Sequence, residues 1–411
     1  MVKDTAMIIT VGTGVGGNQE ATDSLAHGLL YSISQFNPKK IIFFGSSSSK
    51  NTIESLKKQY EKQECEDFDF YEFIEINEID SFKMYFTAIK SKIEEMDNDY
   101  KIIIDYTSGT KTMTMSAAFA SMLFHKKLIF TSGERKNGIV LKGTEEINSQ
   151  NLYLVYDELM ISKIKELFNV NRFESGKVLL GDVVGLSDEK DAFVQLFEAY
   201  EYFDNVNYEL ALENFDISLF SKTWPKLSGD FQKNMKALNI INTKNHGLKD
   251  YYILASMLNN ARRRSEEFKY DDAIARLYRS LELIAQIKLK EYGINSSEIN
   301  LDKLKSKISE DYLNNLEKFK DSNGKIKLGL LQDYLLLNEL DDELGHFYVE
   351  NQNILKNILK FRNNSILAHG LDSLTKDEFD IFNDFVKKAS KVLTNNIDNF
   401  IYETIFPVFE I

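Results

Sequence analysis

An α/β domain on a parallel sheet, followed by an all-helical half, is the fold this sequence predicts, and three observations predict it. Short apolar runs alternate with amphipathic stretches through the N-terminal part, glycine-rich loops sit at the joins, and both features vanish beyond residue 151. Only three prolines, Pro38, Pro225 and Pro407, interrupt a chain of 411 residues rich in Leu, Ile, Lys and Glu, which favours long helices.

The elements follow in order. Ala6 to Val11 is an apolar run ending in Gly12-Thr13-Gly14-Val15-Gly16-Gly17, and Glu20 to Phe36 then has helical periodicity. Further strands are expected at Lys40 to Phe44, Phe68 to Ile76, Tyr100 to Asp105 and Lys127 to Thr131, with helices near 51 to 63, 81 to 96 and 110 to 124. Such alternation implies a parallel sheet with helices on both faces. Gly138 to Gly143 and Asn151 to Tyr156 read as a closing antiparallel pair. Beyond them helix follows helix; the one from Tyr270 through Leu289 carries an inward stripe of Ala273, Ile274, Leu277, Leu281, Ile284 and Ala285.

Composition narrows the function. One cysteine, Cys65, precludes an intrachain disulfide or a cysteine-rich zinc site and fits a reducing cytosol. No signal peptide and no apolar run of about 20 residues are present, so a soluble cytoplasmic protein is expected. A net charge of −13 argues against a general nucleic-acid coat, because phosphate affinity needs dense Lys and Arg. Arg262-Arg263-Arg264 with Arg276 and Arg279 could supply a local patch, although a solvated helix face with surface ion pairs is the simpler reading. His27, His125, His246 and His346 have no neighbours at metal-ligand spacing, and no metal site is expected.

Ligands of parallel sheets sit outside the carboxyl ends of the strands. The first loop there, Gly12 to Gly17, fits G-x-G-x-x-G, but the second strand ends in Phe44-Gly45-Ser46 and lacks the acidic residue that would bind a nicotinamide ribose. The second loop, Asp105-Tyr106-Thr107-Ser108-Gly109-Thr110-Lys111-Thr112, gathers hydroxyls, a glycine and a lysine before a helix expected near Thr112. It is not a Walker A loop, since no glycine directly precedes Lys111 at the required spacing. Capping chemistry alone accounts for Ser, Thr and Gly at such turns. Lys111 opposes the helix dipole, and an anion in front of it would explain its place.

Near the C-terminus stands Arg362-Asn363-Asn364-Ser365-Ile366-Leu367-Ala368-His369. On a helix, seven steps of about 100° bring Arg362 and His369 to one face roughly 10 Å apart, which suits a site assembled across a dimer better than a compact triad. The two types suffice for RNA cleavage without metal: arginine holds phosphate charge and histidine moves protons. A surface pair is the plainer alternative.

Taken together, Asp105 to Met113 after a fourth strand, Phe268 to Glu282, and Arg362 with six residues before His369 resemble the CARF-HEPN ribonucleases that accompany type III CRISPR systems, in particular the branch with a glycine-rich first loop. The resemblance spans nearly the whole chain. It implies a Rossmann-like sensor of cyclic oligoadenylate over 1–158, a helical connector over 159–250 and a HEPN-type helical ribonuclease over 251–411. It places ligand contacts at Gly12, Thr13, Gly14, Thr107, Ser108, Gly109, Thr110, Lys111 and Thr112, and catalysis at Arg362, His369 and Asn363. It further implies a homodimer with no metal cofactor, activated by cyclic oligoadenylate, cutting single-stranded RNA to a 2′,3′-cyclic phosphate; slow degradation of the activator by the sensor is a third possibility, compatible with the hydroxyls near Lys111. A nucleotide-sensing regulator whose helices hold a protein partner without catalysis is the rival.

Overall fold

A computed structural model gives the structure of the chain and describes residues 3–14, 18–64, 67–136, 139–368 and 370–411. The chain forms two compact units, Met1–Ile161 with Asp182–Ser187, and Ser162–Gly181 with Asp188–Ile411.

The first unit is built on strands β1 (Asp4–Val11), β2 (Lys40–Gly45), β3 (Tyr71–Glu75), β4 (Tyr100–Asp105) and β5 (Lys127–Ser132), a small hairpin of β6 (Arg135–Lys136) and β7 (Ile139–Val140), and β8 (Glu146–Gln150). The main sheet has the order β3-β2-β1-β4-β5-β8, parallel except for antiparallel β8 at one edge. Helices α1 (Gln19–Phe36) and α2 (Lys50–Glu64) cover one face; α3 (Phe82–Met96) and α4 (Lys111–Leu123) cover the other. The period of two in β1 divides the core: Ala6 and Ile8 pack with Tyr85, Ile89 and Ala117, while Met7, Ile9 and Val11 pack with Leu29, Ile33 and Leu56. Strands buried on both faces read as continuous apolar runs, which is why β1, β2 and β4 stand out in the sequence.

The expected closing pair is corrected. The strand that pairs with β5 is β8, and Tyr153 already begins a helix, Tyr153–Asn169, so Asn151 to Tyr156 is not a strand. Asp157, Ile161, Ile164 and Phe168 are buried at the three- and four-residue steps of a helix. Ile139–Val140 pairs with Arg135–Lys136 instead, and Gly138 lies outside the described residues.

The second unit is all-helical. The helix Lys249–Glu266 packs along Tyr270–Glu291, which also meets Leu330–Glu339, Gln352–Asn364 and Lys376–Leu393. Every position of the predicted inward stripe from Ala273 to Ala285 is buried. The C-terminal tail threads Phe406 and Phe409 among Phe168, Phe193, Tyr200 and Trp224. Among the described residues no helix is long and apolar enough to cross a membrane.

Candidate functional site

Order reverses between β1 and β4, which share a register running from Asp4 opposite Tyr100 to Ile9 opposite Asp105. At their carboxyl ends lies a cavity of about 430 Å³. Three helical N-termini start around it. Asn18 caps α1, Ser46 caps the 3-10 turn Ser47–Ser49 ahead of α2, and Thr110 caps α4 with its hydroxyl accepting from the Met113 N–H.

The two predicted loops are bolted together. The Gly12 N–H donates to Ser108 Oγ at 2.7 Å, and Thr10 Oγ1 donates to the Ser108 carbonyl at 2.5 Å. A Cβ on Gly12 would stand 3.1 Å from Gly109 N, so the close approach of the two backbones depends on glycine. Gly109 itself has φ +122°, a conformation L side chains rarely adopt. Below them Asp105 is fully buried, accepting from Ser32 Oγ at 2.5 Å and from Thr107 N and Oγ1 at 2.8 and 2.5 Å. Burial raises its pKa against the pull of those bonds, which favours the protonated form and reduces negative charge under the cavity.

Gly12, Thr13, Gly14, Thr107, Ser108, Gly109 and Thr110 all line the cavity. Ser46, Ser48 and Ser49 join them; their cluster in the sequence signalled a cap and hid this second role. Lys111 and Thr112 do not line it: Lys111 stands exposed on the first turn of α4. Gly16 and Gly17 lie outside the described residues. Among the described lining residues there is no lysine or arginine, so attraction for an anion comes from backbone N–H groups, hydroxyls and helix dipoles.

The second site lies at the end of the helix Gln352–Asn364. The sequence expectation of Arg362 and His369 on one continuous helix is corrected: the helix stops at Asn364, Ser365 is extended with ψ 157°, and 366–368 form a turn. Two features end it. Asn363 and Asn364 are weak helix formers, and the chain folds back so that the Gly370 and Asp372 N–H groups donate to the Ser365 and Asn364 carbonyls at 3.2 and 3.0 Å. A Cβ at Gly370 would overlap the Asn364 carbonyl. The Leu374 N–H reaches Asp271 Oδ2 at 3.4 Å, fastening the loop to the helix Tyr270–Glu291. His369 lies outside the described residues, while Ile366, Leu367 and Leu371 around it are exposed, Leu371 at 90%.

Arg362 donates to Asn363 Oδ1 at 3.1 Å, and its guanidinium lies over the ring of Tyr278, 4.6 Å from the centroid. Burial, with Glu282 beside it, raises the pKa of the Tyr278 hydroxyl. Tyr278 was missed in the sequence; it stands between Arg276 and Glu282, but nothing in that spacing announces a partner 84 residues away.

The basic run behaves differently from expectation. Arg263 is buried at 3% exposure, donating to Asp204 Oδ1 at 2.7 Å and lying on Phe406, and burial pulls its pKa down to about 9. Arg264 pairs with Asp204 and Glu267. Three consecutive helical arginines cannot all face solvent, and Asp204 is what makes burial tolerable. Arg276 pairs with Asp272 and Arg279 with Glu282, the surface pairs expected. Among the described residues, no group of His, Cys, Asp and Glu is placed to hold a metal.

Residues 242–393 match the family model described as the Csm6 HEPN domain, a span containing Arg362, Asn363 and His369. The fold is similar to that of Enterococcus italicus Csm6 bound to cyclic hexa-2′-fluoro-hexa-dAMP, with a TM-score of 0.64 and 15% identity over 98% of this chain and 100% of that one. No curated protein matches the sequence.

Proposed function

We propose, from the premise that residues 242–393 belong to the Csm6 HEPN family and that the chain folds as Csm6 does, that this protein is an endoribonuclease of type III CRISPR defence switched on by cyclic oligoadenylate. The observation that carries the reading is one chain holding a hydroxyl- and N–H-lined cavity at a sheet switch point together with the family's Arg362-to-His369 segment. The similar Csm6 is described with a cyclic adenylate analogue bound.

A cavity of about 430 Å³ holds a drug-sized molecule and is too small for a whole ring of nucleotides, which supports a ring shared by two copies, with Lys111 reaching in from the rim. A ligand with rotational symmetry suits an isologous dimer. Exposed Ile366, Leu367 and Leu371 beside His369 are apolar surface for a second copy to cover. Ring binding activates to the extent that it favours the arrangement in which two Arg362/His369 pairs flank one RNA strand.

The chemistry needs no metal. The 2′-oxygen bonds to the adjacent phosphorus as its proton passes to a base, the bond to the 5′-oxygen breaks, and that oxygen takes up a proton, leaving a 2′,3′-cyclic phosphate. His369 transfers the protons, Arg362 holds the phosphate oxygens and Asn363 orients the reacting groups.

The test mixes labelled single-stranded RNA with the protein, EDTA and a panel of cyclic oligoadenylates. Cleavage with a matching ring is expected, abolished by Arg362→Ala and by His369→Ala with ring binding intact; persistent cutting in both variants refutes the catalytic assignment. Ring binding by wild type without cutting would make the protein a regulator. Lys111→Ala should move the activation curve to higher ring concentration. Incubating the ring with Arg362→Ala isolates any degradation of the activator by the sensor.

A further inference from the structure

Arg362 meets no carboxylate among the described residues, whereas Arg172, Arg262, Arg263, Arg264, Arg276 and Arg279 each form an ion pair. It is held by a ring face instead, its guanidinium 4.6 Å from the Tyr278 centroid. The difference has a chemical consequence. A carboxylate partner would occupy the N–H edge of the guanidinium and neutralise it, whereas stacking uses the flat face and leaves the edge donors and the full charge for a phosphate. Among the described residues only one donor of Arg362 is engaged, by Asn363 Oδ1.

We propose that Tyr278 is the positioning residue for Arg362: its ring fixes the plane of the guanidinium at the mouth of the RNA site so that both edge nitrogens face the scissile phosphate. This rests on the ribonuclease reading above. Tyr278 is itself anchored, half-buried in the long helix Tyr270–Glu291, four residues before Glu282, which is paired with Arg279 at 3.3 Å. That same helix fastens the loop beyond His369 through Asp271 and Leu374, so one rigid element sets the arginine and the segment carrying the histidine. Without the ring, a freely rotating arginine at a helix end would sample many rotamers and present the phosphate-binding edge a fraction of the time.

The experiment measures activated RNA cleavage by wild type, Tyr278→Phe, Tyr278→Ala, Arg362→Ala and the double variant Tyr278→Ala/Arg362→Ala. Tyr278→Phe keeps the ring and should cleave within about threefold of wild type, while Tyr278→Ala should lose roughly tenfold in kcat with little change in KM or in the ring concentration for half-activation. The double variant should be as inactive as Arg362→Ala, as two residues acting through one interaction require. An undiminished kcat in Tyr278→Ala overturns the proposal, and so does raised cleavage without activator, which would make the stack a restraint. Equal losses in Tyr278→Phe and Tyr278→Ala would point to the hydroxyl and overturn it too. If wild type cleaves and Arg362→Ala does not, these failures touch Tyr278 alone; if wild type cleaves nothing, the ribonuclease reading and the positioning role fall together.

Discussion

Asp333 gives the helical unit a pH dependence whose size follows from its surroundings. Its side chain is 1% exposed in the helix Leu330–Glu339, with Oδ2 accepting from Ser296 Oγ at 2.8 Å and Oδ1 buried with no partner. Burial, helped by Glu282, pushes its pKa from 3.8 up to about 6. The unfolded chain therefore releases this proton near 3.8 while the folded chain keeps it to about 6, and across that window folding binds protons and stability falls as pH rises. The loss totals about 3 kcal/mol at neutral pH, about 2 kcal/mol of it between about pH 4.5 and pH 8. Asp333→Asn removes the titration. Its amide leaves a buried N–H without an acceptor, but that cost is the same at every pH, so only the change with pH is diagnostic. Thermal unfolding of both proteins at the two pH values should show the variant gaining on wild type by roughly 4–8 °C at the higher pH relative to the lower. A gap that does not change with pH refutes the reasoning.

Three further outcomes are expected. Ser108→Ala strips the acceptor from the Gly12 N–H and should weaken ring binding roughly tenfold, read by titration, with the cleavage rate at saturating ring unchanged. Gly370→Ala forces the loop off the Asn364 carbonyl and should lower cleavage by roughly 100-fold at unchanged helicity and ring affinity; wild-type cleavage would show that the turn does not place the histidine. Asp157→Ala leaves the N–H groups of Val184 and Gly185 without their acceptor and should destabilise the first unit by about 2–3 kcal/mol in urea unfolding, with faster hydrogen exchange at those two amides.

The parallel sheet was legible because its central strands are buried on both faces and therefore apolar throughout, and the loops that line the cavity because glycines and hydroxyls gather where β1 and β4 end. The closing edge was not. Asn151 to Tyr156 has the aromatic and β-branched residues of a strand, while Glu146 to Gln150 has few, yet backbone pairing with β5 decides the matter. The end of the Arg362 helix carried weak signals, two asparagines and a glycine six residues on, and an unbroken seven-residue spacing outweighed them. The burial of Arg263 and the stack on Tyr278 depend on partners 59 and 84 residues away, which no local pattern encodes.

The path of the backbone through residues 153–188 has a practical corollary. The helix Tyr153–Asn169 leaves the first unit at Ile161, the chain returns as Asp182–Ser187, clipped by the Asp157 carboxylate, and departs again at Asp188. No single scission leaves both halves whole: a fragment ending before Asp182 forfeits the returning stretch, and one beginning at Asp188 lacks Phe168 and Phe173 from its aromatic cluster. The two units are interlaced along the sequence, so a swap at one junction always carries a piece of the other unit with it.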